Sequence, residues 1–115
     1  MQIPFRVEVR RDKRATVLVV SGELDLASSP MLEGELEHAF EAVNTQLVIL
    51  DLERLEFMDS TGLSVLVKAH QQAQETGRRF GLVRGRPQVQ RLLSLTGVSE
   101  RIAVADSLEE LLHGG

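Results

Sequence analysis

Leu47-Val48-Ile49-Leu50-Asp51-Leu52, followed shortly by Asp59-Ser60-Thr61-Gly62-Leu63, is the stretch on which the fold turns. The first run is short, bounded and apolar at every position but one, which is how a strand buried on both faces reads. The second places small polar residues ahead of a helical pattern that starts near Ser60 and runs to Thr76. Leu63, Leu66, Val67, His70 and Ala73 share one face of that helix, and Gly77 suits the left-handed residue that ends it. A buried strand feeding straight into an amphipathic helix is the repeating unit of an α/β layer fold.

The flanking sequence extends the same alternation. Phe5-Arg6-Val7-Glu8-Val9-Arg10 has period two, the mark of a strand with one buried face, and Asp12-Lys13-Arg14 reads as a turn. Thr16-Val17-Leu18-Val19-Val20 is a second, buried strand that Ser21-Gly22 is expected to end. Ser29 is the expected N-cap of the first helix, with Pro30 at the first helical position, where a missing N–H is harmless. Leu32, Leu36, Phe40 and Val43 form its apolar stripe, with Glu33, Glu35 and Glu37 on the other positions. Strand, helix, strand in that order predicts a right-handed parallel crossover. Downstream, Phe80-Gly81-Leu82-Val83 is a short strand, and Pro87 opens a helix carrying Val89, Leu92, Leu93 and Leu95 that Gly97 stops. Ile102-Ala103-Val104 is the last strand. Asp106 as N-cap and Glu109 at N3 predict a capping box for a terminal helix through Leu112.

Composition excludes more than it proposes. The chain has 115 residues, 43% apolar and 26% charged, which is ordinary for one globular domain spanning 1–115. It has no Cys, so thiolate zinc sites, disulfides and Cys nucleophiles are out. A net charge of −4 argues against a dedicated nucleic-acid binder, and four Phe with no Tyr or Trp make a poor base-stacking platform. His38, His70 and His113 are too far apart in sequence for a helical metal pair, and neither metal nor cofactor is expected. No apolar run approaches a membrane span and no signal-peptide core opens the chain, so a cytoplasmic domain is expected, monomeric when free.

Open α/β sheets place their sites at strand C-terminal ends, where Asp25, Asp51 and Asp59 fall. Ser60, read as an N-cap, holds its hydroxyl at a helix start beside N–H groups that lack helical partners. Two readings stay open there. The hydroxyl simply caps the helix, or it accepts a phosphoryl group at a position whose dipole tolerates anions. Gly62 would then leave room for the phosphate or a partner. A catalytic serine is disfavoured, because no G-x-S-x-G elbow is present and His70 lies about three turns along the same helix. The phosphate-binding glycine loops are absent as well. A receiver domain is disfavoured by the two opening strands and by the lack of an acid beside Asp25.

Gly22-Glu23-Leu24-Asp25 after the second strand, and Asp59-Ser60-Thr61-Gly62-Leu63 after the third, together make the chain resemble the STAS domain family. The resemblance spans essentially the whole chain and points to its small bacterial anti-sigma factor antagonists. It implies a STAS-like α/β fold, a mixed central sheet of about five strands with about four helices. It also implies that Ser60 is the phosphoacceptor. By the same resemblance, the unphosphorylated protein binds an anti-sigma factor that is also an ATP-dependent serine kinase, and so releases a sigma factor. Phosphorylation of Ser60 ends that binding, and a serine phosphatase restores it. The resemblance implies no catalytic role for the protein itself. Asp25, Met58, Asp59, Ser60, Thr61 and Gly62 form the expected partner surface, and Asp25→Ala is expected to leave thermal unfolding nearly unchanged. Phe57 is expected in the core, Thr61 as a first-turn residue and His70 at the core boundary. Arg78, Arg79, Arg84, Arg86 and Arg91 are read as solvated edge and loop residues rather than a dock for an acidic partner or nucleic acid. The alternative within the resemblance is a STAS scaffold or accessory subunit, of a signalling complex or a membrane transport system, without phosphoregulation.

Overall fold

The chain begins with a hairpin whose second strand becomes the spine of the sheet. β1 (Arg6–Asp12) and β2 (Ala15–Leu24) pair antiparallel around Lys13 and Arg14, with Lys13 in the left-handed region at φ 56°. The structure, a computed structural model, describes residues 4–113. β2 then pairs parallel with β3 (Leu47–Met58), β3 with β4 (Arg79–Val83), and β4 with β5 (Ala103–Ala105). The strand order is β1-β2-β3-β4-β5, a mixed sheet with one antiparallel edge. The helices are α1 (Ser29–Glu41), α2 (Ser60–Thr76), α3 (Pro87–Leu95), α4 (Val98–Arg101) and α5 (Leu108–His113).

Two apolar layers explain why the central strands read as continuous runs. Leu18, Val20, Leu24, Val48, Leu50 and Leu52 pack with Leu32, Leu36 and Phe40 of α1, Leu66 of α2 and Leu93 of α3 in the main core. The opposite side chains, Val17, Val19, Ile49 and Val83, are covered by Leu108, Leu111 and Leu112 of α5. Both faces of β2 and β3 are therefore apolar, and alternation is lost.

Several expected boundaries move. β2 passes through Gly22 to Leu24, and β3 runs on past Leu52 to Met58. The pairing slips between Val19 and Ser21 and again between Gly22 and Glu23, so β3 carries an extra residue at each irregularity. Leu52, Leu55 and Met58 consequently face inward at three-residue steps, a spacing no period-two template detects. Ser28 rather than Ser29 holds the N-cap position of α1, while Ser29 is buried inside the helix start. Val43 is 90% exposed because α1 ends at Glu41 and Ala42 is extended. Leu95 is likewise exposed.

The C-terminal third departs from expectation in its caps. Gly97, at φ 79°, is followed by the additional short helix α4, whose Val98 and the adjoining Ile102 are buried; this makes five helices among the described residues in place of about four. The terminal capping arrangement sits one residue later than expected. Ser107 Oγ accepts from the Glu110 N–H at 3.3 Å, and the Glu110 carboxylate accepts from the Asp106 N–H at 3.2 Å. Asp106 instead pairs with Arg84 at 2.7 Å. Arg78 is not a solvated arginine: it donates to the carbonyls of Thr45 and Ala42, at 2.7 and 3.1 Å, and secures the exit of α1.

Gly22 and Gly34 separate two uses of glycine. Gly22 sits at φ 88°, and a Cβ there would come within 2.9 Å of the Pro4 carbonyl oxygen and of Phe5 Cα. Gly34 lies within α1 with nothing within 4 Å of an added Cβ. Gly22→Ala should therefore destabilise by about 2–4 kcal/mol through strain and backbone contact. Gly34→Ala should stabilise by about 0.5–1 kcal/mol. Urea denaturation of both variants checks the pair.

Candidate functional site

Leu24 and Met58 are the last paired residues of β2 and β3, and the chain leaves the sheet on both strands at the same level. The Asp59 N–H donates to the Leu24 carbonyl at 3.2 Å, tying the turn into α2 to the turn into α1. Asp25 and Asp59-Ser60 therefore share one rim of the sheet.

Asp59, not Ser60, is the N-cap of α2. Its backbone is extended (φ −105°, ψ −172°), and its Oδ1 accepts from the N–H groups of Thr61 at 2.9 Å and Gly62 at 3.0 Å. A carboxylate at this position satisfies orphan donors and meets the positive end of the helix dipole. Ser60 becomes the first helical residue, and it is exposed. Among the described residues its hydroxyl makes no hydrogen bond, and its carbonyl accepts from Ser64 Oγ at 3.1 Å. A serine without a base at its hydroxyl is not activated as a nucleophile.

A family model described as the STAS domain matches residues 6–111. The chain belongs to the STAS domain family. Curated relatives include an anti-sigma F factor antagonist of Paenibacillus polymyxa, 26% identical over 103 residues covering 90% of this chain and 88% of that protein. The anti-sigma-F factor antagonist RsfB of Mycobacterium tuberculosis is 27% identical over 108 residues, covering 94% of this chain and 87% of its own. The crystal structure of an anti-sigma factor antagonist from Mycobacterium paratuberculosis superposes with a TM-score of 0.87 at 26% identity, covering 99% of this chain and 97% of that one.

Met58, Phe57 and Gly62 of this STAS domain sit differently from what was expected. Met58, expected at a partner surface, is 6% exposed and packs in the core, while Phe57, expected in the core, is 45% exposed. Gly62 is buried, and a Cβ on it would lie 2.8 Å from both Leu24 Cγ and Met58 Cγ. The missing side chain thus lets α2 seat on the sheet, rather than clearing space above Ser60. Thr61 occupies the first turn and gives its N–H to Asp59. Asp25 is held in a turn: its Oδ1 accepts from the N–H groups of Ala27 and Ser28, both at 3.1 Å, and its carbonyl accepts from Ser29 Oγ at 2.7 Å. Ser28 Oγ braces the same turn through the Glu23 carbonyl at 2.8 Å. Leu26, 75% exposed on this turn, and Met31, 53% exposed in the first turn of α1, went unremarked in the sequence. Their signal was present, because Leu26 is an apolar residue inside a turn and Met31 falls off the Leu32–Leu36–Phe40 stripe.

Among the described residues no group of His, Asp or Glu side chains could hold a metal ion. Removing the cap should be felt where removing the serine is not. Asp59→Ala should cost about 1–2 kcal/mol with Asp59→Asn recovering most of it, whereas Ser60→Ala should change stability by less than about 0.5 kcal/mol. Asp25→Ala should also cost about 1–2 kcal/mol, in place of the near-zero effect expected from a pure contact residue. Thermal and urea unfolding of the four variants provides the comparison.

Proposed function

We propose that this STAS domain is an anti-sigma factor antagonist switched by phosphorylation of Ser60. The observation that supports it best is the division of labour at the start of α2. Asp59 caps the helix, and the adjacent hydroxyl is exposed and free of structural bonds. A helix cap would lose its hydrogen bond on modification. Ser60 has none to lose. The names of the curated relatives and of the superposing crystal structure supply the partner class, an anti-sigma factor.

In this mechanism the unphosphorylated rim that carries Ser60 seats on an anti-sigma factor and frees a sigma factor. The anti-sigma factor also carries the ATP-dependent serine kinase activity. Its own base takes the Ser60 proton, the Ser60 oxygen bonds to the γ-phosphorus of ATP, and ADP leaves. The product carries about −1.5 to −2 charges beside Asp59. The helix dipole and the N–H groups of its first turn tolerate that charge within the chain. The partner interface does not. A unit charge facing a partner carboxylate at about 5 Å costs about 3 kcal/mol at an effective dielectric of about 20, or about a hundredfold in affinity. Burying a phosphate in a closed, partly apolar contact adds desolvation in the same direction. No rearrangement of the fold is needed, and a serine phosphatase resets the surface. The chain acts as ligand and kinase substrate, and its domain 1–115 needs no cofactor for either role.

The test is direct binding to the cognate anti-sigma factor with and without ATP. Ser60→Ala should bind whether or not ATP is present. Ser60→Glu should bind up to about a hundredfold more weakly than the unmodified chain, and the phosphorylated chain more weakly still, because glutamate supplies one charge and phosphate nearly two. Equal affinity of the unmodified, Ser60→Glu and phosphorylated forms would rule out the charge switch.

A further inference from the structure

The sheet ends on β1, whose only strand neighbour among the described residues is β2. Every second residue of such an edge turns its N–H and C=O outward, and natural edges are blunted by proline, lysine, bulges or shortness. β1 has none of these. Its seven residues, Arg6-Val7-Glu8-Val9-Arg10-Arg11-Asp12, pair with β2 in unbroken register, and all but Val7 are exposed. Val7 packs on the main core and Val9 lies opposite the core residue Leu18, so Val7, Val9 and Arg11 share that face of the sheet. Arg6, Glu8, Arg10 and Asp12 share the other, where Arg10 meets Glu8 at 2.7 Å.

We infer that β1 pairs antiparallel with β1 of a second copy of this chain, centred on Val9. Outward-facing residues have to meet outward-facing residues, which allows only registers that differ by steps of two. Centring on Val9 sets Arg6 against Asp12 and Glu8 against Arg10 of the second copy, each twice by symmetry, with Val9 on Val9. The stem of Arg11 then covers the second copy's Val7. Every facing pair of charges is opposite in sign, and the whole of β1 is paired. Slipping one step in either direction sets Arg6 against Arg10 and Glu8 on Glu8, or Glu8 against Asp12 and Arg10 on Arg10. Directly opposed like charges destabilise a strand pair, and opposite charges stabilise it. The charge order of β1 is therefore its own complement when reversed, which makes a second copy the fitting occupant. The junction joins two five-stranded sheets into one. Because it is antiparallel, the two Ser60 rims lie at opposite ends and both stay open. A single strand pair buries less than the roughly 1,200 Å² of a standard interface, so the free chain, expected to be a monomer, exchanges with a dimer as concentration rises.

Sedimentation equilibrium and disulfide trapping of the full chain test this, and the lack of native cysteine makes each introduced one a unique reporter. The unmodified chain should shift from monomer to dimer with concentration. Glu8→Arg should weaken that dimer by at least about tenfold, because it turns two opposite-charge pairs into like ones. Under mild oxidation Val9→Cys should cross-link to itself. Glu8→Cys and Arg10→Cys should each fail to cross-link alone and succeed when mixed, because a disulfide needs facing positions within about 7 Å. Val43→Cys, 90% exposed just after α1, gives the rate of random collision. All four positions are exposed, and unchanged circular dichroism of the variants verifies their folds. A chain that stays monomeric at every concentration overturns the pairing and leaves the edge to a different protein's strand. A Val9→Cys variant that cross-links no faster than Val43→Cys, or a dimer that Glu8→Arg leaves intact, overturns it as well.

Discussion

Two hydrogen bonds from the first turn of α2 to the Asp59 carboxylate, at 2.9 and 3.0 Å, are the constraint on which the site depends. They take the capping role away from Ser60. The Asp59 N–H meanwhile reaches back to Leu24, so the same residue fixes the helix start and joins the two rim turns. Gly62 completes the junction by letting the helix close on Leu24 and Met58. Everything that makes the rim rigid is contributed by residues around Ser60. The serine itself is left with a surface hydroxyl and no structural task.

That arrangement suits a regulator whose state is read by charge. In the proposed switch, the fold beneath Ser60 is over-determined by Asp59, Gly62 and the braced Asp25 turn, so a phosphate changes what the surface presents without changing its shape. Among the described residues no side chain hydrogen-bonds that hydroxyl, so the proposed switch assigns the chemistry to a kinase. Leu26 and Phe57, on the two segments that reach this rim, are exposed apolar residues. An apolar contact gains from excluding water and a phosphate loses by the same exclusion.

The architecture was largely legible in the sequence because its strands are apolar runs or period-two runs, and its longer helices carry clear stripes. What escaped lay where two local rules compete. Ser60 and Asp59 are both good N-caps, and a propensity scale cannot choose between neighbours. The carboxylate won because capping from position 59 lets the N–H groups of Thr61 and Gly62 both reach it, while position 60 starts the helix. Met58 and Phe57 exchanged places because β3 is irregular beyond Leu52, and the shifts depend on pairing with β2 that no single segment encodes. Val43 and Leu95 are apolar residues of suitable spacing that fall past or beside the buried stripe. Asp25 was identified as part of the rim, but its turn geometry was visible only once Ser28 and Ala27 folded back onto it.

Phosphosite mapping by mass spectrometry, on the protein isolated from its own cells with phosphatases blocked during lysis, tests the central claim most directly. The account predicts phosphate on Ser60 in a fraction of the molecules, changing with growth or stress condition, and none on Thr61. An unmodified Ser60 under every condition would contradict it. The chain would then be a STAS scaffold or accessory subunit whose rim binds without a covalent switch.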